Sequence, residues 1–151
     1  MTGGRGAGHG DRRPDEVAIA VRRPDSEYLV LLRSPEKLGY WHLVSGGVEW
    51  GEEPAAAAAR ELLEETGLVA APVALGEPLA YDLAGDPEPV RARFPAGTER
   101  IVVWPFVADA PAGWEPALDH EHVDARWLDP EAAIALLHYP EPREIVRRAA
   151  A

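Results

Sequence analysis

Short apolar runs broken by Pro, Gly and Asp set the pattern of this chain. VAIAV follows Glu16, and YLVLL spans Tyr28 to Leu32, with a Pro24-Asp25 turn between them. Runs of this length bounded by turn residues predict two paired strands. YWHLVSGG predicts a brief strand that ends on two glycines, where the backbone can turn sharply. LVAAPVAL and LAYDL predict strands between Leu68 and Leu83, and ERIVVWPFVA a long buried strand from Glu99 to Ala108. Pro105 cannot donate to a ladder, so an edge or a bulge is expected there. A last strand is predicted over Val123 to Leu128.

The period changes in PAAAAARELLEET, Pro54 to Thr66. Strong helix formers fill it, proline sits in the tolerated first turn, and Gly67 stands as the stop. Ala55, Ala58, Ala59 and Leu62 form a row of small and branched residues that predicts close packing on a sheet. Asp129-Pro130-Glu131 is a start signal for an apolar-faced helix through Leu137, and PREIVRRAA closes the chain as a short amphipathic helix. The mixed order of strand and helix signals permits an α/β fold. Residues 1–15, rich in Gly and Arg without a periodic apolar face, are expected to form a flexible tail ahead of a single domain over 16–151. The segment Ala84 to Ala96, dense in proline, is the expected mobile loop over a site.

Composition narrows the classes. The 151 residues suffice for one core, and 46% hydrophobic with 27% charged residues belongs to a globular protein. A net charge of -11 argues against a nucleic acid polymer as partner. Acidic chains still bind small phosphates when carboxylates first collect dications, because the ion inverts the local field. Without cysteine there are no disulfides or thiolate sites, and no apolar stretch or leader suits a membrane. A cytoplasmic protein, monomer or homodimer, acting on a small phosphorylated molecule is the simplest expectation.

The chemistry concentrates in GGVEWGEEPAAAAARELLEETGL, Gly46 to Leu68. On a helix Glu61, Glu64 and Glu65 stand at i, i+3 and i+4, so their carboxylates converge on one face. Anions that close repel one another unless cations lie among them, and hard oxygen ligands suit magnesium or manganese. Arg60 can pair with Glu64, or reach Glu52 across the preceding loop, and orient the cluster. Gly46, Gly47 and Gly51 permit a loop whose carbonyls approach the ion.

This segment resembles the complete Nudix box, with every fixed position filled. The resemblance implies the Nudix fold, an α/β/α sandwich with a central mixed β-sheet. It also implies metal-dependent cleavage of a diphosphate linkage, with Glu64 and Glu65 as principal metal ligands and Glu61 as ligand or general base. Gly46, Glu52 and Gly67 are structural positions of the box. Glu121, in DHEHVDARWLD, resembles a further acidic ligand that one subgroup supplies from outside the box. His120 and His122 flank it with a spacing that suits one strand face, which would fit a zinc site instead.

YWHLVSGGVEWGE, RFPAGTERIVVW and HEHVDARWLDPEAAIALL are most similar to dihydroneopterin triphosphate pyrophosphatases. The substrate so implied is a nucleoside or pterin triphosphate. The alternatives are general cleansing of nucleoside triphosphates, including oxidised ones, and a non-catalytic nucleotide sensor. A flat ring needs a stacking surface and a few polar groups. Trp41 and Trp50 are the candidate platforms, Trp104 and Trp127 are assigned to the core, and Arg33 and Arg100 are candidate phosphate contacts.

Overall fold

A computed structural model describes residues 10–151, so residues 1–9 of the expected tail lie outside the described residues. Eight strands form one sheet: β1 (Asp15–Arg22), β2 (Tyr28–Arg33), β3 (Trp41–His42), β4 (Val44–Gly47), β5 (Val73–Ala74), β6 (Leu79–Asp82), β7 (Arg100–Asp109) and β8 (His122–Leu128). Four helices accompany them: α1 (Pro54–Thr66), α2 (Glu88–Arg91), α3 (Pro130–Leu136) and α4 (Pro140–Ala150). Strands β1 and β7 run parallel and every other pairing is antiparallel, so the sheet is mixed.

Strand periodicity explains the layers. Val17, Ile19 and Val21 of β1 point to one face, where Ala57, Ala58 and Leu62 of α1 cover them. Ala18 and Ala20 point to the other, where Ile145, Val146 and Ala149 of α4 and Ala133 of α3 close a second core. Both faces of β1 are therefore buried, and the α/β/α sandwich follows. The packed row of α1 differs in phase from the expected one. Ala57, Ala58, Leu62, Glu65 and Thr66 are buried while Ala55 is exposed, because the helix axis is turned enough to carry Glu65 inward.

Several expectations are corrected by pairing. YWHLVSGG is two strands, since β3 pairs with β2 and β4 with β1. Pro105 lies neither at an edge nor at a bulge: it pairs in register with Ala18 inside the sheet. Its carbonyl accepts from Leu75 N at 2.9 Å, so its missing N–H faces the same side, where β5 has ended and β6 not begun. Helix α1 is closed by Gly67, whose φ of 83° lets its N–H cap Leu63 O at 2.9 Å.

The ordered chain begins before Glu16. Arg12 N donates to Arg93 O at 3.0 Å, Val102 N donates to Pro14 O at 3.1 Å, and Asp15 opens β1 with its carboxylate on Trp104 Nε1 at 2.9 Å. These bonds offset ordering entropy that composition alone leaves uncompensated. The segment after β6 is likewise more built than a loop. Leu83 and Phe94 bury themselves with Ile101 in a small core of their own, and α2 lies between them. No helix among the described residues is long and apolar enough to cross a membrane.

Candidate active site

Helix α1 carries its acidic residues across the boundary between core and solvent. Glu65, one turn after Leu62, shares the buried face, and its side chain is only 8% exposed. Glu64, one position earlier, is 56% exposed. Glu61 lies between these extremes and packs over Gly46 of β4, where a β-carbon would overlap its carboxylate. Gly46 thus leaves the space that the Glu61 carboxylate occupies, and a β-carbon there would displace that flexible side chain.

Arg60 organises this end of the helix. Its guanidinium donates twice to Glu52, from Nε and Nη2 at 2.9 Å each, and from Nη2 to Gly47 O at 2.9 Å. Its Nη1 donates to Glu61 at 2.8 Å and to Glu64 at 3.3 Å. Both expected partners, Glu64 and Glu52, are therefore engaged, together with one that was not expected, Glu61. The fork holds Glu52 down to about 2, chiefly through its hydrogen bonds.

A second segment brings further carboxylates to the same place. The chain before β8 is fixed by Ser34 N donating to Glu121 O at 2.8 Å, and by Glu121 N donating to Asp119 Oδ1 at 3.2 Å. His122 is buried, with Nδ1 at 2.8 Å from Asp119 and Nε2 at 4.0 Å from Glu65. One oxygen each of Glu65, Asp119 and Glu121 lie within 4.8 Å of one another. Among the described residues one hydrogen bond, Ser45 N to Glu65 Oε1 at 3.2 Å, and the more distant charge of Arg33 answer this charge at Glu65. Burial first, and the neighbouring Glu61 second, push the Glu65 carboxyl up to about 9. Burial likewise raises Glu61. A cluster of hard oxygen donors that cannot all ionise unaided fits a divalent cation of the magnesium class.

The expected set is thus brought together in part. Glu61, Glu64, Glu65, Glu121 and Gly46 all line one cleft, joined by Asp119 of the DHEHVDARWLD segment. His120 is exposed, so the paired-histidine arrangement does not form.

The cleft, about 850 Å³, runs from these carboxylates across the α4 face of the sheet. Arg33 and Lys37 stand beside the acidic end, Lys37 at 3.9 Å from Glu121. Arg33 Nη1 donates to Tyr40 at 3.3 Å, while its buried Nε has no partner among the described residues. Further along, Arg12, Tyr40, Tyr81, Phe94 and Tyr139 form the walls, and Glu16, Ala18, Ser45, Gly47 and Val103 the floor. His42 also lines it, and burial lowers its pKa to about 3, leaving it neutral at ordinary pH.

The remaining substrate candidates stand elsewhere. Trp41 packs against the α4-side core, its ring 4.7 Å from the Arg126 guanidinium. Trp50 is 63% exposed in the turn before α1 and donates to Asp11 O. Arg100, in strand phase with Val102 and Trp104, is exposed beside Asp82 at 3.7 Å. None of the three lines the cleft. The aromatics that do are Tyr40, Tyr81, Phe94 and Tyr139. Glu16, which also lines the cleft, shares the strand phase of Ala18 and Ala20, the signal by which sequence could have placed it on the α4-side face.

The NUDIX domain family model matches residues 12–149. An octanoyltransferase of Myxococcus xanthus is 37% identical over 138 residues, which are 89% of this chain and 36% of that protein. An 8-oxo-(d)GTP phosphatase of Mycolicibacterium smegmatis is 34% identical over 108 residues, 72% of this chain and 29% of that protein. The chain thus spans about a third of the length of these curated relatives. Among solved structures, the E. coli dihydroneopterin triphosphate pyrophosphohydrolase superposes with a TM-score of 0.78 at 24% identity, covering 92% of this chain and 96% of that one. That likeness is one of fold.

Proposed function

This chain belongs to the Nudix family, and on that premise we propose that it is a divalent-metal-dependent pyrophosphohydrolase that converts a nucleoside or pterin triphosphate to the monophosphate and pyrophosphate. One observation carries the reading: Glu65, Asp119 and Glu121 converge within 4.8 Å beside Glu61 and Glu64, at the end of a cleft long enough to hold more than a phosphate chain.

Glu65, Asp119 and Glu121, with Glu61 and Glu64 beside them, are the residues that would hold magnesium or manganese. Such an ion supplies charge neutralisation for the phosphates and a lower pKa for water. In the net reaction water adds to phosphorus, the P–O–P bond breaks, and the displaced oxygen leaves with pyrophosphate. Glu61 is suited to take the proton of that water, because burial raises its basicity while Arg60 fixes the carboxylate. Arg33 and Lys37 face the acidic end and suit phosphate oxygens as charge-assisted donors. The ring attached to the phosphates would lie among Tyr40, Tyr81 and Phe94, in place of Trp41 and Trp50.

A cleansing activity on oxidised nucleotides is the second reading, supported by the 8-oxo-(d)GTP phosphatase relative. The test is a panel measured with magnesium: dihydroneopterin triphosphate, the nucleoside triphosphates, 8-oxo-dGTP, ADP-ribose and dinucleoside polyphosphates, with release of pyrophosphate and phosphate followed separately. Pyrophosphate from a triphosphate is the expected product. Turnover confined to ADP-ribose or dinucleoside polyphosphates, or no turnover at all, refutes the proposal.

A further inference from the structure

Glu16 occupies a position that neither the metal cluster nor the core accounts for. It sits on the sheet itself, on the cleft side, in the rung that joins Gly47 of β4 to Val103 of β7. A central strand is a costly place for a carboxyl, and burial raises its pKa. Tyr81 donates to one oxygen, Oε1, at 3.1 Å. Among the described residues the other oxygen accepts no hydrogen bond. The Arg12 guanidinium, whose charge partly offsets the rise from burial, lies over Gly47, where a β-carbon would come within 2.7 Å of it.

The surroundings suit a flat ring. Ala18, Ser45, Gly47 and Val103 give a floor of small side chains around Glu16, and Tyr40 and Phe94 stand as walls. Ser45, whose amide holds Glu65, pairs with Ala18, and Gly47 pairs with Glu16. Two residues along a strand cover about 7 Å. That offset separates Glu65, on the Ser45 amide, from Glu16, leaving room for the sugar or side chain that joins a ring to its phosphates.

We propose that Glu16, positioned by Tyr81, reads the edge of a 2-amino-4-oxo ring, the N–H and adjacent amino group that guanine and pterin share. The inference deepens the proposed function and rests on it for the phosphate end. A carboxylate offers parallel acceptors, and that edge offers parallel donors, so the pair is complementary in the way a carboxylate is to a guanidinium. Adenine presents a bare acceptor nitrogen where this edge has its N–H, and it turns a lone pair toward Glu16. Hypoxanthine keeps the ring N–H and lacks only the amino group.

The experiment compares GTP with ITP, which differ by that amino group, alongside ATP and dihydroneopterin triphosphate, in wild type, Glu16→Gln and Tyr81→Phe. Both kcat/KM with magnesium and Kd by calorimetry with calcium are measured. One charge-assisted bond predicts a GTP over ITP preference of about ten- to a hundredfold in wild type. Glu16→Gln should shrink it to about threefold or less, as a single neutral acceptor remains. A wild-type ratio near one overturns the inference, as does a ratio that survives Glu16→Gln. If no triphosphate is turned over, the phosphate-cleaving reading fails while the Kd ratio still decides the role of Glu16. The relative kcat/KM of GTP and dihydroneopterin triphosphate tells purine from pterin.

Discussion

Replacing Arg60 tests whether the acidic helix depends on a forked cation or merely on positive charge. The guanidinium donates to Glu52 twice, to Glu61 and to the Gly47 carbonyl, at 2.8 to 2.9 Å. Lysine offers one compact ammonium and cannot serve Glu52 in fork geometry while reaching the other two. Each bond to a charged group is worth about 1.5–3 kcal/mol in full. The Arg60 side chain is 27% exposed, so water replaces part of what is lost. The expected cost is about 2–4 kcal/mol for Arg60→Ala and roughly half that for Arg60→Lys. For a domain of this size that lowers the melting temperature by about 4–16 °C and 2–8 °C. Calorimetric melts of the metal-free proteins measure it. Both variants melting within about 1 °C of wild type would refute the reasoning.

The same substitution has a signature in acid. Glu52 is lowered from 4.5 to about 2, mainly by its bonds to Arg60. The unfolded chain therefore binds this proton more readily than the folded one, and the stabilisation is complete above pH 4.5 and lost as pH falls toward 2. The melting difference between wild type and Arg60→Ala should be widest near neutrality and close over that acidic window. A difference that stays constant through it would mean that Arg60 acts by packing and not through the Glu52 pair.

Two further substitutions separate function from stability. Glu65 is raised from 4.5 to about 9, so the folded chain holds its proton more tightly, and metal-free stability should fall as pH rises through that range. Glu65→Gln should remove this slope and stabilise the metal-free protein at pH 8 by about 1–3 kcal/mol; a lower melting temperature there would contradict the assignment. Turnover by the same variant should drop at least about a hundredfold, and near-normal rates would remove Glu65 from the mechanism. Gly46→Ala should push aside the Glu61 carboxylate, the flexible side chain that a β-carbon would meet. The predicted result is a kcat loss of about ten- to a hundredfold with little change in melting temperature, and unchanged kcat would show that Glu61 has no fixed position to lose.

The sequence was most legible where local chemistry is strict. The bounds of α1 follow from Pro54 and Gly67, and its acidic face follows from helical spacing. It was least legible where partners come from afar. Trp41 and Trp50 have the chemistry of stacking platforms, yet the first is covered by Arg126 and the second projects from a turn. Their places are taken by Tyr40, before β3, Tyr81, on β6, and Phe94, which reaches the cleft because the segment after β6 folds back over its own small core. Asp119 was ambiguous for the same reason, since an exposed loop and an acidic ligand read alike until Ser34 and His122 fix the loop against β2 and Glu65. Arg12 lay within a stretch whose composition resembles a tail, and its backbone bond to Arg93 and its guanidinium over the Phe94 ring draw it to the cleft.

The phase of α1 joins these observations. If the helix buried only Ala57, Ala58 and Leu62, Glu65 could turn to solvent and keep an ordinary pKa. Instead it is held under the Ser45 amide and beside His122, in a place where its charge is poorly answered. Natural cores avoid such positions unless a partner completes them. Arg60 is directed elsewhere, toward Glu52, Glu61 and Gly47, and the cation whose charge acts on Glu65 is Arg33, whose effect ranks below burial. Arg60 is thus committed to holding the frame and Arg33 offsets only part of the burial, so the deficit at Glu65, Asp119 and Glu121 suits a dication. Stability of the metal-free protein and affinity for the metal should accordingly move in opposite directions whenever this cluster is altered.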